Sequence, residues 1–400
     1  MQNKIDKPIL KSLKPYYFNQ SEKFSFVLFF KQHENINSKG QEEKETKQKK
    51  KKSTWVFLLF NFIIVGAIIA YTFITQETKP ISELIKEMPY YRYLFVGFLM
   101  MMLFYTIRGV SYAIMIKQTT GKFRLWLGIR TAIIGKYWDS ITPGGSGGQF
   151  AQVGYMRGKG CSGEVSTSVI VGNYMLWQIG FMIMGVLVIV MPFSLYSAGK
   201  IIKYFALAGV IGNVLLFIFL LIVSINRKLC SICIVGGLKL LKKIKIIKNY
   251  RKALYKSLKF VREYQHSIRM VAKNPLTIML QIMLSVVSII CVASVDYFIY
   301  RTFNPFGGVS PIQIIAMSIL CVFATTLFIV PGGSGAAEIS YVAMFSALFT
   351  EGTTFWALIF WRLLTYYLYI IVGFLLTVIE PFCYNRNKIR RGKVKVNIKK

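Results

Sequence analysis

Long apolar blocks constrain the fold of this chain more than any other feature of its sequence. Each block comes near or exceeds the roughly 20 residues that an α-helix needs to cross a bilayer, and most contain one charge or none. Backbone groups in lipid must bond internally, and uninterrupted apolar runs differ from the alternating pattern of β-barrel strands. The sequence therefore predicts an all-α polytopic membrane protein. The blocks are residues 54–75, 93–116, 165–192, 204–225, 275–300, 312–330 and 353–380.

The positive charge of the chain lies outside these blocks. The formal net charge is +34, and 13 Lys and Arg residues fall in 1–53, 14 in 227–274 and 8 in 383–400. Basic segments beside membrane spans are retained in the cytoplasm, so we expect these three segments and both termini to be cytoplasmic. We also expect them to attract anionic lipid headgroups, with 227–274 forming amphipathic helices at the surface. No nucleic-acid-binding motif is visible, so we expect no nucleic-acid partner.

A metal ion or cofactor is not expected from the residue types. The six cysteines are scattered, and Cys230 and Cys233 form a lone CxxC pair without a histidine cluster. Both histidines, His33 and His266, lie in basic polar segments. The glycine-rich loops described next lack the Lys-Ser/Thr of a nucleotide P-loop. We therefore expect no cofactor and no metal site.

The pentapeptide PGGSG occurs twice, at 143–147 and at 331–335, which are 188 residues apart. Counting membrane crossings from the basic segments, a further apolar stretch, 125–141, enters from the cytoplasm and turns back at the first loop. The block 312–350 enters from outside and turns at the second loop. The pattern predicts an inverted-topology repeat of span, re-entrant hairpin and span, an arrangement common in transporters. About six full spans and two hairpins are expected in all. The 188-residue shift also brings 93–116 near 275–300 and 165–192 onto 353–380.

The same pattern divides the chain into segments. We expect a partly disordered basic tail first, then a transmembrane domain, then a second basic tail. Within the transmembrane domain, one repeat precedes the basic cytoplasmic segment and the other follows it. The boundaries are 1–53 for the first tail, 54–382 for the transmembrane domain, about 93–192 and about 275–380 for the repeats, 227–274 for the basic segment and 383–400 for the second tail.

The two glycine loops are the candidate substrate site. Consecutive glycine N–H groups can hold an anion, a following helix start adds a positive dipole end, and a phospholipid phosphate is the obvious anion in a membrane. Charged side chains in apolar blocks are costly, so we expect those near the loops to line a cavity or to pair. The alternative is that the glycines only permit tight packing of a helix hairpin. The candidate substrate-binding residues are Asp139, Thr142, Gly144, Gly145, Ser146, Gly147, Gln149, Gln152, Gly332, Gly333, Ser334, Gly335, Glu338, Arg108, Arg130 and Arg362; Lys136 and Asp296 complete the charges in the apolar blocks.

With these residues in view, the chain resembles the lysylphosphatidylglycerol synthase transmembrane-region family, the flippase-like membrane part of the multiple peptide resistance factor. The resemblance covers most of 54–382. It implies a bacterial cytoplasmic-membrane flippase or transporter for an anionic or aminoacylated phospholipid such as lysylphosphatidylglycerol. The matching stretches are DSITPGGSGGQFAQVGYMRGKG at 139–160, VPGGSGAAE at 330–338 and FWRLLTYYLYIIVG at 360–373.

The resemblance leaves other functions open. Full-length synthases carry a soluble lysyltransferase domain after the membrane part, whereas here only residues 381–400, mostly polar, follow the last block. We therefore expect no catalytic residues and no lysyl transfer by this chain alone. One alternative is a part in lysylphosphatidylglycerol synthesis and in resistance to cationic peptides, with a separate aminoacyltransferase as the partner that brings lysyl-tRNA. A second alternative is an ion pathway lined by carbonyl groups of the loops. A third is a membrane scaffold that recruits partners.

Overall fold

A computed structural model describes the central part of the chain, all of it within the compact unit 57–400. The described residues are 90–142, 145, 147–191, 204, 207–215, 217–218, 235–236, 238, 274–304, 306–326, 333, 335–350 and 352–377. The predicted span 54–75, both basic tails, most of span 204–225 and most of the segment 227–274 lie outside them. The domain boundaries therefore stay predictions.

Every regular element in the described residues is helical, which confirms the predicted all-α membrane fold. Four helices are long and apolar enough to cross a membrane: α1, α4, α5 and α8, the last counted over Thr354–Thr377. They coincide, within a few residues at each end, with the predicted spans 93–116, 165–192, 275–300 and 353–380. The helices are α1 (Arg92–Thr120), α2 (Leu125–Ile141), α3 (Gly148–Gly158), α4 (Gly163–Val190), α5 (Pro275–Phe303), α6 (Pro311–Thr325), α7 (Ala336–Phe345) and α8 (Thr354–Arg362, continuing through a π-helical turn Leu363–Tyr367).

Local capping explains where several helices begin. The side chains of Ser162, Asn274 and Ser310 each accept a hydrogen bond from the backbone N–H three residues later, at the starts of α4, α5 and α6. Proline occupies the first turn of α5 and of α6, where no N–H is needed. These helix starts follow from polar residues that satisfy backbone groups before each apolar run begins.

The two halves share one order of elements and one pattern of packing. In the first half α1 packs on α2, α2 on α3, α3 on α4 and α1 on α4. The same contacts recur in the second half between α5 and α6, α6 and α7, α7 and α8, and α5 and α8. The halves meet most extensively where α1 packs against α5. This arrangement supports the predicted repeat, while the opposite orientation of its halves stays a prediction.

Helices α2 and α3 correspond to the first predicted hairpin, and α6 and α7 to the second. Glycines allow the first hairpin to approach α1 closely. A Cβ on Gly128 of α2 would collide with the backbone oxygen of Gly109 on α1, and one on Gly109 would collide with Ile129. Small residues at such contacts are the usual means by which helices associate in lipid. The hairpin is thereby held against the span that carries Arg108.

Candidate functional site

Each glycine loop contains a residue in the left-handed backbone region at the same place. Gly145 has φ 62° and Gly333 has φ 66°, and each is the third residue of its PGGSG. Only glycine adopts this conformation without strain. The similar φ angles at equivalent positions support a repeated loop geometry. Pro143, Gly144, Ser146, Pro331, Gly332 and Ser334 lie outside the described residues, so their part of the candidate site is not tested.

Side chains of the protein already occupy the helix starts that follow the loops. At the start of α3, Asp139 Oδ1 accepts the Gly148 N–H at 2.8 Å, and Thr142 Oγ1 accepts the Gly147 N–H at 2.9 Å. At the start of α7, Glu338 Oε2 accepts the Gly335 N–H at 2.7 Å. A carboxylate is thus placed at the positive end of each short helix. These N–H groups are paired within the protein, so an anionic ligand needs other donors.

Glu338 also forms a buried ion pair with Arg362. The Arg362 Nη2 lies 2.7 Å from Glu338 Oε1, and the side chains are only 6% and 2% exposed. The guanidinium carbon lies 4.9 Å from the ring centroids of both Trp361 and Tyr366. Arg362 is the last residue before the π-helical turn of α8, a feature often found at functional sites. The pair joins the second hairpin to the last span.

A cavity of about 230 Å³ lies beside Arg362. It is formed by residues from both hairpins and from the spans α1, α4, α5 and α8, so it is central to the described part of the molecule. Two cationic side chains, Lys136 and Arg362, face it, and its walls are mainly aromatic and apolar. Its lining is Met101, Phe104, Tyr105, Lys136, Trp177, Phe181, Ile289, Val292, Ala293, Ser318, Ile319, Cys321, Val322, Thr325, Gly333, Ala337, Trp361, Arg362, Thr365, Tyr366 and Tyr369.

Lys136 is the cation in the cavity that lacks a paired carboxylate. It lies on α2, is exposed, and has no hydrogen bond or ion pair to its ammonium group within the described residues. Its Nζ lies 5.7 Å from the ring centroid of Tyr369, and Asp139 acts on it only through longer-range attraction. Lys136 was not among the candidate binding residues, although a lysine inside an apolar block is a functional signal in itself.

Two hydroxyl groups extend the polar wall around Lys136. The Tyr369 hydroxyl and Ser140 Oγ are hydrogen-bonded at 2.8 Å, while the buried Tyr105 hydroxyl has no partner within the described residues. Tyr105 and Tyr369 both line the cavity. Sequence reasoning missed these tyrosines because aromatic residues in spans usually fill space or anchor interfaces.

Arg108 lies behind the cavity wall. Its Nη2 donates to Asn173 Oδ1 at 2.9 Å, and its guanidinium carbon lies 4.3 Å from the ring centroid of Trp177, which lines the cavity. Asn173 in turn donates to Ser111 Oγ at 2.6 Å, and Ser111 is hydrogen-bonded to Gln281 of α5. This polar network crosses the contact between the two halves, and no sequence pattern predicts it.

The remaining candidates lie away from the cavity lining. Gln152 is buried and donates from Nε2 to the Tyr112 hydroxyl and to the Thr131 carbonyl, both at 3.0 Å. Gln149 is half-buried and Arg130 is exposed, and neither borders the cavity. Among the candidate residues that the structure describes, Arg362 and Gly333 line it.

The described residues hold no group of His, Cys, Asp or Glu side chains arranged to bind a metal ion. The polar groups at the cavity are instead cations, hydroxyls and aromatic rings. Such a donor set suits an anionic oxygen ligand, because ammonium and guanidinium groups donate charge-assisted hydrogen bonds to phosphate.

Comparison with known proteins identifies the family. No curated protein gives a significant match to the chain. The family model described as "Lysylphosphatidylglycerol synthase TM region" matches residues 58–373, well over half of the chain, including α1 to α7 and α8 as far as Gly373. With its span-length apolar helices, the chain is a membrane-embedded protein and belongs to the lysylphosphatidylglycerol synthase transmembrane-region family.

Proposed function

We propose that this protein translocates a phospholipid with an anionic headgroup across the bacterial cytoplasmic membrane, binding the headgroup in the cavity between the two hairpins. The observation that carries the proposal is the pair of cationic side chains, Lys136 and Arg362, facing one cavity inside a bundle of membrane spans. Family membership indicates a membrane role in lysylphosphatidylglycerol biology, so phosphatidylglycerol and its lysyl derivative are the first lipids to consider.

Charge favours a phosphate as the bound group. A cation inside a membrane domain is costly, and the Lys136 ammonium has no carboxylate within ion-pair distance among the described residues. A headgroup phosphate would supply the missing negative charge. Arg362 is fixed by Glu338 and by two aromatic rings, so it presents a preorganised guanidinium to the same space.

The size of the cavity favours a headgroup over a whole lipid. At about 230 Å³ it falls below the roughly 300–1,000 Å³ of pockets that enclose a drug-sized ligand. A headgroup can enter while its acyl chains stay in the surrounding bilayer. Translocation then requires that the cavity open towards each leaflet in turn, and movement of one half against the other at the α1–α5 contact would provide this.

Replacement of Lys136 tests this function directly. In liposomes holding the purified protein, we expect Lys136→Gln to slow translocation of fluorescent phosphatidylglycerol by about tenfold or more. The reason is that a hydrogen bond to a charged group contributes about 1.5–3 kcal/mol. Protection of the lipid from a bilayer-impermeant quencher reports the rate, and lysylphosphatidylglycerol is tested alongside to rank the headgroups.

Lys122→Gln is the matched control, because Lys122 is an exposed lysine in the short loop between α1 and α2 and does not line the cavity. It should translocate lipid at the wild-type rate, and Lys136→Arg should retain most activity. Equal translocation rates for Lys136→Gln and the wild type would show that the headgroup does not bind in this cavity. If the wild-type protein accelerates the translocation of neither lipid, the proposed translocation is contradicted.

The description of the family favours one other function, participation in lysylphosphatidylglycerol synthesis with a separate aminoacyltransferase. Lipid extracts of cells with and without the protein separate the two functions. Lysylphosphatidylglycerol that appears only when this chain is expressed supports synthesis. An unchanged lipid composition with an altered distribution between leaflets supports translocation.

A further inference from the structure

Asp296 is a buried carboxyl group in the middle of span α5. Its side chain is 2% exposed, and its Oδ2 accepts a hydrogen bond from Ser318 Oγ of α6. Its other oxygen, Oδ1, is buried and has no hydrogen-bond partner within the described residues. A buried polar atom without a partner is uncommon and calls for an explanation.

The other acidic residues that the structure describes are all accommodated. Glu338 pairs with Arg362 through one oxygen and caps α7 through the other. Asp139 caps α3 and is close enough to Lys136 to be attracted by it. Glu164 is exposed in the first turn of α4. Within this part of the chain, Asp296 is the buried acid that has neither a cation nor a backbone N–H as its partner.

Asp296 forms no ion pair within the described residues. The titratable groups that interact with it electrostatically are Cys321 on α6 and Tyr341 on α7. The Tyr341 hydroxyl is itself buried without a partner. On α8, Arg362 interacts with the same Cys321, but it is engaged by Glu338.

These surroundings fit a carboxyl group that carries a proton. An ionised carboxylate is expensive in an apolar interior without a compensating cation. A neutral acid avoids this cost, and the proton has a place on Oδ1, the oxygen that Ser318 does not use. The group can therefore exchange a proton without breaking an ion pair.

Ser318 connects this group to the cavity. Its side chain lines the cavity and also donates to Asp296, so a single hydroxyl separates the acid from the space where the headgroup is proposed to bind. A phosphate there would disfavour a second negative charge nearby and would favour the proton on Asp296. Because linkage between two binding sites is reciprocal, the proton on Asp296 would equally favour the phosphate.

We propose that Asp296 is a proton-binding site coupled to the headgroup cavity, so that one proton and one anionic headgroup bind together and are released together. An O–H bond forms at Asp296 Oδ1 as a hydronium ion gives up a proton and becomes water, and on release the proton returns from Oδ1 to water. No electron is transferred. Asp296 has this role only if the cavity binds a headgroup as proposed above. Such coupling would allow a proton gradient to drive translocation of the lipid.

Binding of short-chain phosphatidylglycerol to the purified full-length protein, measured at successive pH values, tests the coupling without requiring transport. At pH values where the unliganded protein holds Asp296 ionised, we expect the affinity to rise by up to about tenfold for each pH unit of acidification, the slope for uptake of one proton. Asp296→Asn, which keeps the shape of the neutral acid, should bind tightly with this slope lost. Ser318→Ala, which keeps the carboxyl group, should weaken the slope.

Glu164→Gln is the control, since it removes an exposed carboxylate far from the cavity lining and should leave the slope unchanged. Affinity of the wild type that does not depend on pH would overturn the coupling. So would an Asp296→Asn variant with the wild-type slope. Absence of binding at every pH would overturn both the coupling and the proposed headgroup site.

Liposomes with an imposed pH gradient separate the coupling from translocation itself. We expect fluorescent phosphatidylglycerol to accumulate away from the acidic side with wild-type protein, and merely to equilibrate with Asp296→Asn. Equilibration by the wild type with no response to the gradient would overturn the coupling and leave translocation standing. Accumulation driven by a sodium gradient instead would also overturn the proton site. Proton-linked binding without any lipid movement would retain the coupling and remove the proposed translocation.

Discussion

At the scale of single residues, the charged side chains in the apolar blocks serve different purposes that their sequence positions do not distinguish. Glu338 and Arg362 form a buried pair, Asp139 caps a helix, and Lys136 faces the cavity. All are costly in a membrane, and each cost is offset differently. The pair is the most enclosed of these, since neither side chain is more than 6% exposed.

Removal of one partner of this pair is expected to destabilise the protein strongly. Glu338→Gln leaves the Arg362 guanidinium buried without its counter-charge, which typically costs about 3–5 kcal/mol. The midpoint of thermal unfolding in detergent should fall markedly. The double variant Glu338→Gln with Arg362→Met should recover part of the loss, because no buried charge is then left unpaired. Glu164→Gln, at an exposed site, should change the midpoint little, and an equal fall there would contradict this account.

At the scale of elements, close helix packing positions the hairpins. The contact of α1 with α2 depends on Gly109 and Gly128, whose backbones approach too closely for a side chain between them. Both glycines lie outside the PGGSG loops, so the packing alternative for the loop glycines stays a prediction, while Gly145 and Gly333 adopt a left-handed conformation that favours glycine. Packing and loop geometry are thus assigned to different glycines of the same hairpin.

Gly128→Ala is expected to destabilise the protein, since the added Cβ meets the Gly109 carbonyl oxygen and the helices must separate. Overpacking of this kind typically costs about 1–3 kcal/mol. Gly154→Ala in α3 is the matched control, because its Cβ would meet nothing. There we expect unchanged or slightly raised stability, by up to about 1 kcal/mol, since alanine favours a helix over glycine. Thermal unfolding of the two variants in the same detergent makes the comparison, and a Gly128→Ala protein as stable as Gly154→Ala would contradict it.

At the scale of the whole molecule, the described part consists of two halves with the same helix order and the same contacts, joined along α1 and α5. The cavity draws its lining from both halves, so neither forms the site alone. If the halves have opposite orientation, as the basic segments predict, then equivalent loops face opposite sides of the membrane.

Single cysteines in a cysteine-free background test this orientation. Lys122→Cys lies between α1 and α2, and Gly308→Cys lies at the corresponding place between α5 and α6, where an added Cβ meets no neighbour. We expect an impermeant thiol reagent to label Gly308→Cys on intact cells and to label Lys122→Cys only after permeabilisation. Labelling of both positions from the same side would contradict the inverted repeat.

The sequence by itself determined the membrane class, the positions of the four described spans, the doubled glycine loop and the family. These follow from properties that act residue by residue along the chain: apolar length against bilayer thickness, the backbone freedom of glycine, and a specific string of residues. The cost of a charge in lipid also marked out Asp139, Glu338 and Arg362 before any contact was known.

Only the tertiary structure decided what those residues do. Gln152 and Arg108 form hydrogen bonds within the protein, whereas Lys136 faces the cavity and Asp296 keeps an oxygen without a partner in the described residues. The partner of a polar side chain depends on the rotation and packing of helices that are far apart in sequence, as with Ser318 and Asp296 on neighbouring helices. Hydropathy and spacing carry no information on that rotation, because in a membrane the apolar residues face both lipid and neighbouring helices.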